Sequence, residues 1–176
     1  MAKGFKEGFI QIYTGDGKGK TTAALGLALR AAGHGLRTYI AQFMKGREYS
    51  ETEALKKHED SITIRHYGSG NFICEKPGPE DKRCAVEGLE EAKQYMVSGE
   101  YDVVILDEAN IAAYFDVLSV QELLAVIDAK PEHVELVITG RRAHELILEK
   151  ADLITEMHEI KHYYQKGVSA RHGIEF

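Results

Sequence analysis

Apolar residues along this chain come in two rhythms. Short, nearly continuous runs occupy 9–13, 36–43, 101–106 and 133–138, and two further stretches, 61–67 and 152–161, alternate apolar with polar. Continuous runs of this length are the pattern of strands buried on both faces, and alternation is that of strands covered on one. Between them apolar residues recur every three or four positions over 20–32, 51–57, 79–98, 120–129 and 142–150, which predicts helices. The punctuation agrees. Gly33-His34-Gly35 suits a left-handed cap after the first helix, Pro79 opens the third and Gly99 closes it, and Pro131 follows the fourth. In the third helix Ala85, Leu89, Ala92 and Met96 share one face and are assigned to the core.

Strand and helix in turn predict an α/β fold, a mostly parallel sheet with helices on both faces. No repeat or linker interrupts the order, so residues 1–176 are expected to form a single domain. Ligands of such sheets lie beyond the carboxyl ends of the strands. The chemistry-bearing residues are therefore sought directly after each apolar run.

After the first run comes Thr14-Gly15-Asp16-Gly17-Lys18-Gly19-Lys20-Thr21-Thr22. Glycines let backbone N–H groups turn inward on an oxyanion, the helix N-terminus adds partial positive charge, Lys20 adds a full charge, and Thr21 offers a hydroxyl to Mg²⁺. These are the groups of a phosphate-binding P-loop, in a variant form. Thr14 stands five residues before the Gly-Lys pair, where the usual spacing has a glycine, and Lys18 is an additional cation. The fold expected is thus of the P-loop (RecA-like) kind. Asp107-Glu108, closing the run at 101–106, has the form of a Walker B segment whose carboxylates face Mg²⁺ or its waters. Lys45, the glycine- and proline-rich segment 68–78 and Arg141 also follow strands, so all belong to one edge of the sheet. Arg30, three turns into the first helix, either reaches back toward the nucleotide or is a solvated charge.

Composition narrows the field further. The net charge of −6, a 44% hydrophobic content and the lack of any apolar run near 18 residues exclude disorder and a membrane-spanning helix. The opening residues carry no apolar signal-peptide core, which makes the cytoplasm the expected compartment. Residues 1–47 hold eight Lys/Arg against two Asp/Glu, net +6, leaving −12 on the remainder. The positive end is where phosphates belong, and an acidic chain without a basic stripe argues against nucleic acid. Cys74 and Cys84 are read as reduced thiols, and His34, His58, His133 and His158 as ordinary surface or half-buried residues without metal-site spacing.

Several motifs in order resemble one family, the P-loop type of corrinoid adenosyltransferase. They are the loop 14–24, Gln42-Phe43-Met44-Lys45-Gly46, Leu106-Asp107-Glu108-Ala109-Asn110-Ile111, Thr139-Gly140-Arg141-Arg142-Ala143-His144, the segment 151–157, Lys161-His162 and Gly173-Ile174-Glu175-Phe176. The resemblance implies ATP with Mg²⁺ and a reduced corrinoid as substrate. By it, Thr14, Gly15, Asp16, Gly17, Lys18, Gly19, Lys20, Thr21 and Thr22 wrap the triphosphate, Arg30 and Arg141 contact the nucleotide, and Thr21, Asp107 and Glu108 serve Mg²⁺. It further implies that ATP lies reversed in the loop, that Co(I) attacks the 5′ carbon, and that Lys20, Lys18 and Arg141 stabilise charge on the departing triphosphate. Cobalt is the nucleophile, so none is required of the protein. The segment 68–78 corresponds to the loop that displaces the lower cobalt ligand, with Phe72 the candidate and Tyr67 beside it; better-known members carry an aromatic pair after Thr-Gly there. Only eight residues precede the first run, so the N-terminal helix that covers the corrinoid in many members is expected to be absent or built differently. A homodimer and a cobalt-reducing flavoprotein partner are implied by the resemblance alone.

Two other readings use the same loop. A P-loop NTPase hydrolysing the β–γ bond to drive a conformational change predicts ADP and phosphate and needs a water-positioning residue, for which the sequence shows no clear candidate. A non-catalytic nucleotide- or corrinoid-binding module predicts binding without turnover.

Overall fold

The computed structural model describes residues 6–44, 50–68 and 77–175. Lys45, Phe72 and Cys74, singled out above, lie outside the described residues, as does most of the 68–78 segment. The strands are β1 (Ile10–Thr14), β2 (Thr38–Phe43), β3 (Ile62–Tyr67), β4 (Val103–Asp107), β5 (Glu135–Thr139) and β6 (Leu153–Glu156). They form one sheet in the order β3-β2-β4-β5-β1-β6, and every pairing is parallel. β5 thus lies between the strand that leads into the phosphate loop and the strand that ends in Asp107. That insertion sets the width of the site, because Tyr13 at the end of β1 is in register with Thr139, and Gln42 at the end of β2 with Asp107.

The expected helices cover both faces. α1 (Lys20–Gly33) packs Ala24, Leu25, Ala28 and Ala31 on one side, against Ile40, Val103, Ile105 and Val137. α3 (Pro79–Val97) lies on the other, where Ala85, Leu89, Ala92 and Met96 are buried with Tyr39, Ala41, Val104 and Leu106. Val103 and Ile105 face one layer and Val104 and Leu106 the other, the period-two alternation that makes a strand apolar throughout when both faces are covered. α2 (Ser50–Leu55), α4 (Ala109–Tyr114), α5 (Val120–Asp128) and α6 (Glu145–Leu148) complete the layers. α5 starts on a capping box in which Ser119 and Glu122 satisfy each other's backbone N–H groups.

Two elements are much shorter than the sequence pattern predicts, and one is new to it. The strand expected over 152–161 stops at Glu156: Met157 N still donates to Thr14 O, the last residue of β1, at 2.9 Å, but its carbonyl turns to the phosphate loop and accepts from Gly17 N at 2.7 Å. The helix expected over 142–150 shrinks to Glu145–Leu148. Arg142 has φ +58°, incompatible with a helix start, and the His144 side chain caps the shortened helix by accepting from Leu146 N. α4 has no counterpart in the pattern. Its six residues are too few to show a helical period, and it forms where the chain must turn away from the end of β4.

Candidate nucleotide site

Four strand ends converge on a cleft of about 920 Å³, and a buried carboxylate ties them together. Asp107, fully buried, accepts hydrogen bonds at Oδ1 from the hydroxyls of Thr21 (2.9 Å) and Thr139 (2.7 Å), and at Oδ2 from Gln42 Nε2 (2.9 Å). One side chain therefore links α1, β2 and β5 to β4. The Thr139 hydroxyl also accepts from Glu108 N at 3.0 Å, which holds Glu108 in a left-handed conformation at φ +62°. Met44 (φ +59°) and Arg142 (φ +58°) are strained in the same way beyond β2 and β5. A non-glycine residue in this region costs on the order of 1–3 kcal/mol, and such residues cluster where a fixed side-chain direction is needed.

Within the loop, Lys20 is buried and its ammonium donates to Gly15 O at 2.6 Å and Gly17 O at 2.7 Å. Burial pushes its pKa below the ordinary lysine value and the nearby Arg141 guanidinium pushes the same way, with Glu108, Asp16 and Asp107 opposing. Two cations held close in a partly desolvated cleft are an arrangement that a bound polyanion relieves. Gly15 carries φ +89°, and a Cβ there would lie 2.4 Å from Met157 O, so the loop is pressed onto the backbone that follows β6. The Gly17 N–H is used on Met157 O, whereas Gly19, at φ +118°, leads straight into α1.

Of the residues singled out in the sequence, Gly17, Lys18, Gly19, Lys20, Thr21, Thr22, Glu108 and Arg141 line the cleft. Asp107 lies beneath it, and Thr14 is buried with its carbonyl on Met157 N. Asp16 is exposed, 3.8 Å from Arg142. Arg30 is exposed on α1, is not among the cleft-lining residues, and its charge is felt by Tyr13. Apolar residues also line the cleft: Leu25, Leu29, Phe43, Met44, Ile111 and Phe115. Its rim is formed by His162, Gly173, Ile174 and Glu175. Gln42 and Thr139 stand in the motifs that carry the resemblance but have no role assigned from the sequence, and the contribution of Met157 carries no signal, since it acts through its backbone.

Thr21, Asp107 and Glu108 present the hard oxygen donors that Mg²⁺ takes together with phosphate oxygens and water. Among the described residues no group of three or more His, Cys, Asp or Glu is placed to hold a metal alone. A cation here would complete its shell with the nucleotide. No described helix is long and apolar enough to cross a membrane.

A parallel sheet with an inserted strand, a glycine-rich loop entering α1 and a paired carboxylate on the facing strand define a P-loop α/β protein. Residues 6–176 match the family ATP:corrinoid adenosyltransferase BtuR/CobO/CobP. The chain is 35% identical over 173 residues to the corrinoid adenosyltransferase CobA of Salmonella typhimurium and equally to a corrinoid adenosyltransferase of Escherichia coli, covering 97% of this chain and 87% of each relative. It is 36% identical to one of Sinorhizobium over 174 residues, 97% of this chain and 81% of that protein. The chain belongs to the ATP:corrinoid adenosyltransferase family.

Proposed function

We propose that this protein transfers the adenosyl group of ATP to the cobalt of a reduced corrinoid. It is a transferase, and the observation that carries the reading beyond family membership is the mixed lining of the cleft, in which Lys18, Lys20 and Arg141 stand together with Leu25, Leu29, Phe43 and Phe115. Such a cleft suits a triphosphate beside a large, weakly polar ring. The Co(I) electron pair forms the bond to the 5′ carbon, the carbon–oxygen bond breaks, and its electron pair leaves on triphosphate. Lys20, drawn from the carbonyls of Gly15 and Gly17, and Arg141 meet the charge that grows on the leaving oxygens, with Lys18 and the loop N–H groups aligning the chain of phosphates. Thr21, Asp107 and Glu108 would hold Mg²⁺, which supplies further neutralisation of the triphosphate charge. The knot at Asp107 fixes the directions of Thr21 and Glu108 before substrate arrives.

Residues 1–176 act as one domain and do so in the cytoplasm, as the uninterrupted strand–helix order and the opening residues suggest. The remaining parts of this reading rest on the family resemblance: two copies associate as a homodimer, Phe72 works at the lower face of the corrinoid, Arg30 contributes to the nucleotide, and a flavoprotein reduces the cobalt. The test is an anaerobic incubation with Mg-ATP and chemically reduced Co(I) corrinoid, following cobalt–carbon bond absorbance and assaying triphosphate. Adenosylcorrinoid and triphosphate are expected in equal amounts, and Lys20→Ala is expected to lose both. Formation of ADP and phosphate alone would replace the transferase reading with that of a P-loop hydrolase.

A further inference from the structure

Lys18 stands between two claims. It belongs to the loop assigned above to triphosphate, yet its ammonium donates to Ile174 O at 2.6 Å and lies 3.8 Å from Glu175 Oε1. Ile174 and Glu175 line the cleft themselves. Glu175 is also firmly placed. It accepts from Arg171 N at 2.8 Å and Arg171 Nε at 3.3 Å and from the Tyr163 hydroxyl, while the Arg171 guanidinium lies over the Tyr163 ring at 4.8 Å. The hydrogen bonds from Arg171, then Tyr163, hold its carboxyl at a pKa of about 2, so it is an anion at any physiological pH. A fixed negative charge thus stands beside Lys18, in a cleft whose loop is assigned above to polyphosphate.

We infer that Glu175 and the Ile174 carbonyl are an internal ligand for Lys18 that competes with triphosphate, so that segment 171–175 sets how tightly triphosphate is held and how readily it leaves. This rests on the assignment of Lys18 to triphosphate made above. When polyphosphate enters, Lys18 exchanges a neutral carbonyl and a shared carboxylate for a multiply charged anion. Glu175 keeps Arg171 and Tyr163 throughout, but without the Lys18 tether the backbone bonds of the segment open more often. When triphosphate departs, the carbonyl and carboxylate take the ammonium again, and no bare cation is left in the cleft. The like charge of Glu175 acts in the same direction by raising the free energy of the bound product.

The full chain is tested with inorganic tripolyphosphate, by calorimetric titration and by hydrogen exchange. The amides of Ile174 and Glu175 donate to Arg171 O at 3.3 and 3.0 Å and report on the segment. Tripolyphosphate is expected to speed exchange across 171–175 in the parent. Lys18→Ala should show the faster exchange without ligand and no further rise with it. Glu175→Gln should bind tripolyphosphate about two- to fivefold more tightly, the size measured for single exposed charge contacts, with the gain in a slower off-rate. The Gln variant also weakens the contact with Arg171, so the Lys18→Ala exchange comparison stands as an independent arm. Exchange in the parent that is unchanged or slowed by tripolyphosphate overturns the competition. Lys18→Ala binding tripolyphosphate as tightly as the parent overturns more, because then the assignment of Lys18 to triphosphate has failed as well.

Discussion

Asp107 provides the sharpest separation between what holds the site together and what it does. Asp107→Ala strips three donors of their acceptor in a fully buried place: the hydroxyls of Thr21 and Thr139 and the amide of Gln42. Each stranded buried group costs about 1–3 kcal/mol, but relief from burying a carboxylate returns part of that, so the net loss is about 2–4 kcal/mol. For a domain of this size that is a fall in melting temperature of roughly 5–15 °C. Asp107→Asn behaves differently because of geometry. The retained Oδ1 still accepts from both threonines, and the new Nδ2 meets Gln42, whose own Oε1 accepts no hydrogen bond among the described residues. Turning the Gln42 amide over presents that oxygen to Nδ2, so Asp107→Asn should cost about 1 kcal/mol or less. Its melting temperature should stay within a few degrees of the parent while transfer becomes dependent on much higher Mg²⁺, since one carboxylate charge is gone. Thermal melting with calorimetry, followed by a Mg²⁺ titration of transfer, checks both halves. Equal melting temperatures for the Ala and Asn variants would refute the hydrogen-bond knot, and an Asn variant with parental Mg²⁺ dependence would remove Asp107 from the cation site.

Lys20→Met should melt no lower than the parent, since it removes a desolvated charge, yet lose roughly 10- to 150-fold in tripolyphosphate affinity, the worth of a charged hydrogen-bonding contact; calorimetry on parent and variant decides. The pH dependence follows from the same group. Folding lowers the Lys20 pKa from its ordinary value, so between the two values the unfolded chain binds more protons and this lysine's contribution to stability rises with pH. Bound polyphosphate favours the ammonium, so tripolyphosphate affinity should fall as pH climbs through the free protein's Lys20 pKa, and Lys20→Met should abolish that slope. Gly88→Ala would place a Cβ 2.2 Å from the Tyr67 ring and is expected to destabilise by about 1–2 kcal/mol, the overpacking cost less the gain in helix propensity, read by urea unfolding. Tyr67→Phe, losing hydroxyl bonds to Tyr39 (2.6 Å) and Glu91 (2.7 Å), should cost a similar amount with the ring packing intact.

What was legible in the sequence was whatever a side chain has to declare. Continuous apolar runs such as Val103 to Leu106 appear because a strand covered on both faces has no solvent side, and the heptad-like spacing of Ala85, Leu89, Ala92 and Met96 exists because only one face of α3 is buried. The convergence of Lys20, Thr21, Asp107, Glu108 and Arg141 could be reasoned from their positions after strands, since parallel strands deliver their ends to one edge. Sheet order was not legible. Nothing in the composition of β5 tells that it inserts between β1 and β4, although this spacing is what brings the Thr139 hydroxyl onto Asp107.

The least legible contacts are those that the site makes through backbone carbonyls. Met157 O receives Gly17, Gly15 O and Gly17 O receive Lys20, and Ile174 O receives Lys18. A carbonyl is offered by every residue, so the sequence marks the cation and not its resting partner. That asymmetry explains why the strand expected to run through 161 ends at Glu156: the alternation continues, but the carbonyl of Met157 is committed to Gly17 of the loop. It also makes function reversible at small cost. Lysines parked on neutral carbonyls give them up to a polyanion more readily than lysines locked to buried carboxylates would, because the competing contact carries no full charge of its own. On the reading proposed above, Lys20, parked on carbonyls alone among the described residues, is thus poised to capture phosphate, and Lys18, whose partner carbonyl is reinforced by Glu175, to let it go.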